Sequence, residues 1–189
     1  MIDRRAAPLL PLVLLAVLAC RAEDAGVARE YGVPPVVSME LGAMRDVSVS
    51  DGVWIGSFPS PADFDLARRR GIETAIDLSL PDESFGFDVA QACRGVDLEY
   101  VRIAADGGCP IPDDAVDRTL AELRRPGRGP VLVFCGNGGR AAMVFAIWLA
   151  LDRGLPLEEA LVEGRRAGMK PGCPEEFVRR QAARLSARP

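Results

Sequence analysis

The sequence predicts a single α/β domain in which a mostly parallel central sheet is flanked by helices. From about residue 53, segments typical of strands alternate with segments typical of helices, which is the order of a parallel sheet with helical crossovers. The run 131–134 contains no polar residue, as expected for a strand that is covered on both faces. With 189 residues, of which 49% are apolar, the chain is long enough for one buried core, and a second full domain is not expected.

The first half of this domain contains three predicted strands and two predicted helices. The strands are short apolar or β-branched runs bounded by turn residues, at 53–56, 72–78 and 100–103. The first helix starts after Ser60, a favourable N-cap residue, has Pro61 at its first position, and ends at Gly71. The second helix is predicted over 85–94 and ends near Gly95.

The second half is predicted to contain one strand and four helices. A helix over 112–123 places Val116, Leu120 and Leu123 three or four residues apart on one face. The proline- and glycine-rich segment 126–130 separates this helix from the central strand. The following helices are predicted over 141–151, 157–167 and 174–185, and the first of these is free of polar residues and therefore buried on nearly every side.

The N-terminal segment predicts export from the cytoplasm of a bacterium. Arg4 and Arg5 precede an apolar stretch over 6–19 that is short for a membrane span and typical of an export signal. Because Cys20 follows Leu18 and Ala19 at the end of this stretch, the segment resembles a lipobox in which Cys20 is acylated. The alternatives are cleavage without lipidation and a retained helical anchor, against which the shortness of the apolar stretch counts. We predict a signal peptide over 1–19, a tether over 20–48 and the domain over 49–189. The expected location is the periplasmic side of the cell envelope, with membrane contact only through the N-terminal lipid.

Composition excludes several kinds of function. The net charge of −4 and the absence of a long basic run argue against a nucleic-acid partner. No histidine is present, which excludes nucleophiles paired with histidine and most zinc sites. No metal and no cofactor are therefore predicted, and a nucleophile in this chain must be activated by backbone dipoles and arginine.

One short segment combines a thiol, a flexible turn and an arginine. Cys135 follows the central strand directly, and Arg140 lies in the first turn of the next helix. The residues between them can turn several backbone N–H groups inward as a nest for an anion, and they are predicted to bind the substrate: Gly136, Asn137, Gly138 and Gly139. The helix dipole and the guanidinium favour the thiolate. The alternative is that Cys135 is only a small core residue, but this does not explain an arginine at a helix start, where the dipole disfavours a cation.

Four segments of the chain match, in order, those of a known family. They are Gly-Ser-Phe-Pro-Ser at 56–60, Gly-Ile-Glu-Thr-Ala-Ile-Asp-Leu at 71–78, Tyr-Val-Arg-Ile at 100–103, and the loop at 135–140. Together they resemble the dual-specificity and tyrosine phosphatase-like superfamily, especially small bacterial members similar to the phosphatase-like domain of beta-lactamase-hydrolase-like proteins. The resemblance implies a cysteine-based phosphatase-like fold and a cysteinyl-phosphate mechanism. In that mechanism Cys135 is the nucleophile, Arg140 binds the phosphoryl oxygens, and the substrate is a phosphorylated compound whose class is not predicted.

The resemblance also implies a general acid from the loop that precedes the nucleophile. Asp106 is the first choice because it follows the 100–103 strand, although it can equally begin an Asp-Gly turn. Asp113 and Asp114 are the other candidates, and their alternative role is as helix first-turn charges.

The loop departs from the family pattern in its length. Only four residues separate Cys135 from Arg140, where the phosphatase loop has five, and Phe134 stands where the family has histidine. A shorter ring suits a persulfide, as in rhodaneses. The sequence therefore predicts a phosphatase, with a rhodanese-like sulfurtransferase or a catalytically silent anion-binding module as alternatives.

The remaining cysteines suggest disulfide chemistry, because an exported chain can be oxidised. Sequence alone does not choose among the pairings of Cys93, Cys109, Cys135 and Cys173. One hypothesis is a reversible Cys109–Cys135 bridge that protects the thiol; the alternative is a Cys109–Cys173 bridge or none.

Overall fold

Six strands form one sheet in the computed structural model, which describes residues 30–187 apart from 81, 84, 106 and 107. The strands are β1 Val37–Ser38, β2 Ser48–Ser50, β3 Val53–Gly56, β4 Thr74–Asp77, β5 Glu99–Arg102 and β6 Val131–Phe134. Their order across the sheet is β1-β2-β3-β6-β4-β5, and the pairs within β3-β6-β4-β5 are parallel. The predicted α/β class with a mostly parallel sheet is therefore confirmed.

Strand β6 lies at the centre of the parallel part of the sheet. Its four residues are at most 1% exposed, and their side chains alternate between the two apolar clusters on either face. Gly56 of β3 and Asp77 of β4 both pair with Phe134, so the three strands end at the same level. This arrangement follows from the unbroken apolar run, which is stable only where both faces are covered.

Helices cover both faces of the sheet. They are α1 Pro61–Arg69, α2 Val89–Arg94, α3 Asp113–Leu123, α4 Gly139–Asp152, α5 Leu157–Arg166 and α6 Cys173–Ser186. Residues of α1 and α2 pack on one face, and residues of α3 to α6 pack on the other. As predicted, Pro61 begins the first helix, and Gly71 follows its end with a φ of 81°. None of these helices is both long enough and apolar enough to cross a membrane, over the described part of the chain.

Helix α2 is shorter than predicted because Asp88 caps it. The Asp88 carboxylate accepts a hydrogen bond from the backbone N–H of Gln91 at 2.9 Å, which fixes the helix start at Val89. Phe85 and Phe87, which were predicted to be helical, instead pack edge-to-face with each other and with aromatic rings on the sheet and α1. Aromatic packing therefore overrides the helical pattern at this point.

Helix α4 is the most buried helix of the described chain. Every residue from Arg140 to Leu149 is buried, and the helix contacts the sheet and the helices α3, α5 and α6. This agrees with the prediction from its apolar sequence. The helix begins two residues earlier than predicted, at Gly139, so that Arg140 lies within its buried first turn.

The sheet begins before the predicted domain boundary at residue 49. β1 pairs with β2 in antiparallel register, and Val33 and Leu41 are at most 1% exposed. The described part of the segment predicted as a tether over 20–48 thus contributes a sheet edge and core side chains. A strand of two residues is too short to produce a periodic pattern, which is why the sequence did not indicate it. The predicted signal peptide and Cys20 lie outside the described residues.

Candidate active site

The segment from Cys135 to Arg140 lies at the carboxyl edge of the parallel strands. The backbone N–H of Cys135 donates to the carbonyl of Gly56 at the end of β3 at 3.4 Å. On the other side of β6, the N–H of Leu78 donates to the carbonyl of Phe134 at 2.8 Å. The backbone of Cys135 is therefore held between the ends of β3 and β4, at the edge where open α/β sheets bind ligands.

A left-handed glycine makes the turn from strand to helix. Gly138 has a φ of 80° and precedes α4 directly. Glycine is favoured here because of this left-handed φ, since a Cβ atom would make only an ordinary contact, at 3.5 Å, with the backbone of Gly56. The Asn137 side-chain oxygen accepts a hydrogen bond from the N–H of Gly139 at 3.0 Å and lies 4.0 Å from the Cys135 sulfur. The turn is thus closed over the sulfur by its own asparagine.

The Arg140 side chain points into the protein, and only 7% of it is exposed. Its Nη1 donates to the Leu78 carbonyl at 2.9 Å, and its Nη2 donates to Glu83 Oε1 at 2.5 Å. The Glu83 carboxylate lies against Gly136, where a Cβ atom would collide with it. Cys135 is fully buried and belongs to the apolar cluster on the face of the sheet that α3 to α6 cover. A cation at a helix start is unfavourable by itself, and here the carboxylate compensates it.

The segment that holds Arg140 is itself fixed by the end of β4 and by β5. The buried Asp77 carboxylate accepts hydrogen bonds from the backbone N–H of Ser79 at 2.8 Å, the Tyr100 hydroxyl at 2.8 Å and Arg102 Nη1 at 2.9 Å. Arg102 also donates to the Leu80 carbonyl at 3.1 Å. Burial, and then the hydrogen bond to Asp77, raises the pKa of Tyr100 to about 12. This network gives the segment after β4 a fixed path past the loop.

No family model and no curated protein matches this sequence. Solved structures do match. TpbA from P. aeruginosa is 16% identical with a TM-score of 0.64, over 80% of this chain and 96% of that chain. Tk-PTP in its active form is 24% identical with a TM-score of 0.56, over 70% and 91%. The core catalytic domain of the PP-IP phosphatase SIW14 from S. cerevisiae is 17% identical with a TM-score of 0.59, over 79% and 96%. The chain has the dual-specificity/tyrosine phosphatase-like fold.

The predicted loop residues 135–140 are consecutive in sequence and lie between the end of β6 and the first turn of α4. Cys135, the loop 136–139 and Arg140 form one continuous turn around the end of β6. Asp106, the predicted general acid, lies outside the described residues. Asp113 accepts a hydrogen bond from Gln181 Nε2 at 2.5 Å and is thereby tied to α6. Asp114 is exposed at the start of α3.

Glu83, the partner of Arg140, is a site residue that was not predicted from the sequence. The two residues are 57 positions apart, and no motif links them. The sequence nevertheless contained an indication of Glu83, because the run 72–78, which includes β4, was predicted as a buried strand of a mostly parallel sheet. The segment after it must therefore emerge at the same sheet edge as Cys135. A carboxylate in that segment was a candidate partner for the loop arginine.

The cysteines of the phosphatase-like domain are paired in one of the ways that the sequence left open. Cys109 and Cys173 form a disulfide between the segment after β5 and the start of α6. Cys93 and Cys135 are free and buried, so the hypothesised Cys109–Cys135 bridge is not formed. Burial, and then the nearby Asp77 carboxylate, raises the pKa of Cys93 to about 12. Within the described ranges, no group of three or more acidic or cysteine side chains could hold a metal ion.

Proposed function

We propose that this protein is a cysteine-dependent phosphatase that hydrolyses a phosphomonoester through a cysteinyl-phosphate on Cys135. The observation that carries the proposal is the inward-turned Arg140, held by Leu78 and Glu83 in the first turn of the helix that follows the Cys135 loop. An arginine directed to solvent would have favoured a purely structural cysteine. The phosphatase-like fold supports the proposal, because open α/β sheets bind ligands at the carboxyl ends of their strands and Cys135 follows β6 directly.

The reaction has two steps with one covalent intermediate. In the first, the Cys135 thiolate attacks phosphorus and the P–O bond to the leaving group breaks. The loop amides and Arg140 bind the three non-bridging oxygens, and Asp106 gives its proton to the leaving oxygen. In the second step, water attacks the same phosphorus and loses a proton to Asp106, and the S–P bond breaks. Inorganic phosphate leaves, and the thiolate and the protonated acid are restored.

One observation favours a sulfurtransferase as the second candidate function. Four residues, and not five, separate Cys135 from Arg140, and Gly139 already donates its N–H to the Asn137 side chain. Such a ring has fewer amides free for three phosphoryl oxygens. A persulfide on Cys135 would need fewer free backbone amides than a phosphoryl group, and it would need no general acid.

A single set of assays on the full chain separates these functions. p-Nitrophenyl phosphate tests phosphoryl chemistry, thiosulfate with cyanide tests sulfur transfer, and Cys135→Ser is the control for both. We expect phosphate release that disappears in Cys135→Ser. Thiocyanate formation without phosphate release would establish the sulfurtransferase instead. Inactivity in both assays, with retained phosphate binding, would establish a silent anion-binding module.

We also propose that the protein is exported and anchored in the cell envelope by acylation of Cys20. The Cys109–Cys173 disulfide supports export, because such bonds persist in oxidising compartments and are rare in the cytosol. Metabolic labelling with a palmitate analogue is expected to label the full chain and not its Cys20→Ser variant. Equal labelling of both, or of neither, would contradict the anchor.

A further inference from the structure

A cavity of about 570 Å³ opens directly beside the catalytic loop. Asn137 and Gly139 form one wall. The opposite walls come from β1 and the turn that leads into β2, from Ser57 after β3, and from the turn that follows α5. This volume lies within the range of pockets that bind small molecules. The cavity adjoins the loop through Asn137 and Gly139, whereas Cys135 and Arg140 are not among the described residues that line it.

The cavity is a cationic site on an acidic protein. Arg45, Arg166 and Lys170 line it, whereas Asp46 is the lining residue with a negative charge. Arg166 forms an ion pair with the buried Glu163 behind the wall. Arg45 and Lys170 are exposed and have no ion-pair partner within the described part of the chain. Since the whole chain has a net charge of −4, this concentration of positive charge is local.

Arg45 is held at a fixed place relative to the nucleophile. The Ser57 hydroxyl donates to the Arg45 carbonyl at 2.9 Å and accepts from the Arg45 backbone N–H at 3.2 Å. Ser57 follows Gly56, whose carbonyl accepts the hydrogen bond from the N–H of Cys135. The backbone of Arg45 is therefore connected to that of Cys135 through the hydrogen bonds of Ser57 and of its neighbour Gly56. Cavity and loop thus form parts of one surface.

The chemistry of the wall indicates which ligand would fit. Besides the charged residues, the described lining consists of serines, small residues and the side chains of Met39 and Val47, without an aromatic ring. Such a wall offers no surface on which a base or a phenyl ring could stack. It suits a hydroxylated scaffold with a second phosphate, which carries a charge of about −1.5 to −2 near neutral pH.

We propose that the cavity is a second phosphate subsite, in which Arg45 and Lys170 bind a phosphate group that is not hydrolysed. This proposal rests on the phosphatase function proposed above and narrows its substrate class to small polyols that carry at least two phosphates. The second phosphate supplies binding energy and orients the first phosphate in the loop.

The test compares fructose phosphorylated at both ends with fructose phosphorylated at one end. With the full chain, we expect kcat/KM to be about tenfold higher for the bisphosphate, as one or two charge-assisted contacts imply. Arg45→Gln and Lys170→Gln should each lower this ratio by roughly threefold to tenfold. Arg68→Gln, an exposed arginine on α1 outside the cavity, is the matched control and should leave the ratio unchanged. Equal kcat/KM for the two sugars, or a ratio that neither cavity variant changes, would overturn the proposal.

Failure of the subsite can be told apart from failure of the phosphatase function. Hydrolysis of p-nitrophenyl phosphate that requires Cys135 tests the function without the cavity. If that hydrolysis is absent, calorimetric binding of the same two sugars to the full chain still decides the subsite. The subsite is supported if the bisphosphate binds more tightly than the monophosphate and Arg45→Gln removes that difference. Equal binding of both sugars would refute the subsite.

Discussion

Replacing Glu83 by alanine removes the carboxylate that holds the loop arginine. In the native protein, Glu83 Oε1 accepts from Arg140 Nη2 at 2.5 Å and Oε2 accepts from the N–H of Leu80 at 2.7 Å. In the variant, Arg140, whose side chain is 7% exposed, keeps the Leu78 carbonyl as its hydrogen-bond partner among the described residues. Removing one partner of a buried ion pair costs about 3–5 kcal/mol. Because 23% of the Glu83 side chain is exposed, we reduce the expected loss to about 2–3 kcal/mol.

This loss should be visible as a lower melting temperature and as lower activity. For a domain of this size, each kcal/mol shifts Tm by about 2–4 °C, so Glu83→Ala should lower Tm by roughly 5–10 °C. Activity should fall by about tenfold or more in kcat/KM, because Arg140 is no longer fixed in the position where we propose that it binds phosphate. Glu83→Gln keeps an acceptor oxygen but loses the charge. Its Tm and its kcat/KM should therefore lie between those of the native protein and those of Glu83→Ala.

The assay is a double-mutant cycle measured by urea unfolding. Glu83→Ala, Arg140→Met and the double variant should show a coupling energy of about 2 kcal/mol. Added phosphate should raise the Tm of Glu83→Ala more than that of the native protein, since the anion replaces the missing charge. Glu158→Ala is the control, because its carboxylate pairs with Arg179 on the surface and should contribute little. The reasoning is refuted if Glu83→Ala is as stable as this control, or if the two substitutions are additive.

Three further predictions test the surroundings of the loop. Gly136→Ala should lower stability by about 1–3 kcal/mol and reduce activity, because the added Cβ would push away the Glu83 carboxylate that holds Arg140. Gly108→Ala is the control, since a Cβ there meets no atom within 4 Å. Equal effects of the two substitutions would contradict this packing argument. Replacing Cys109 and Cys173 by serine opens a loop that spans 64 residues and should cost about 4 kcal/mol in chemical unfolding; an unchanged midpoint would contradict this. Between pH 10 and 12 the unfolded chain releases the Tyr100 proton while the folded protein keeps it. The free energy of unfolding should therefore fall with rising pH, and less steeply in Tyr100→Phe; identical slopes would contradict the raised pKa.

The parts of the fold with strong local patterns were predicted correctly from the sequence. β6 was recognisable because four consecutive apolar residues are stable only in a covered strand. α4 was recognisable because its apolar residues continue around the whole helix. Cys135 and Arg140 could be proposed as a pair because the glycine-rich turn between them is local in sequence.

The parts that depend on distant contacts were not predicted. Glu83 meets Arg140 only because β4 lies next to β6, an adjacency that no local pattern contains. Arg45 and Lys170 line one cavity although they are far apart in the chain. β1 was missed because it derives its stability from pairing with β2 and not from its own sequence. The disulfide could not be chosen because four cysteines allow three complete pairings.

The most direct test of the proposed chemistry is to trap the covalent intermediate. The full chain is mixed with p-nitrophenyl phosphate, quenched rapidly in acid and digested, and the peptide that contains Cys135 is analysed by mass spectrometry. A thiol-bound phosphoryl group on Cys135 is the predicted result, absent in Cys135→Ser. Turnover with Cys135 unmodified throughout, or an added sulfur atom on Cys135 after thiosulfate without any phosphoryl adduct, would contradict the account.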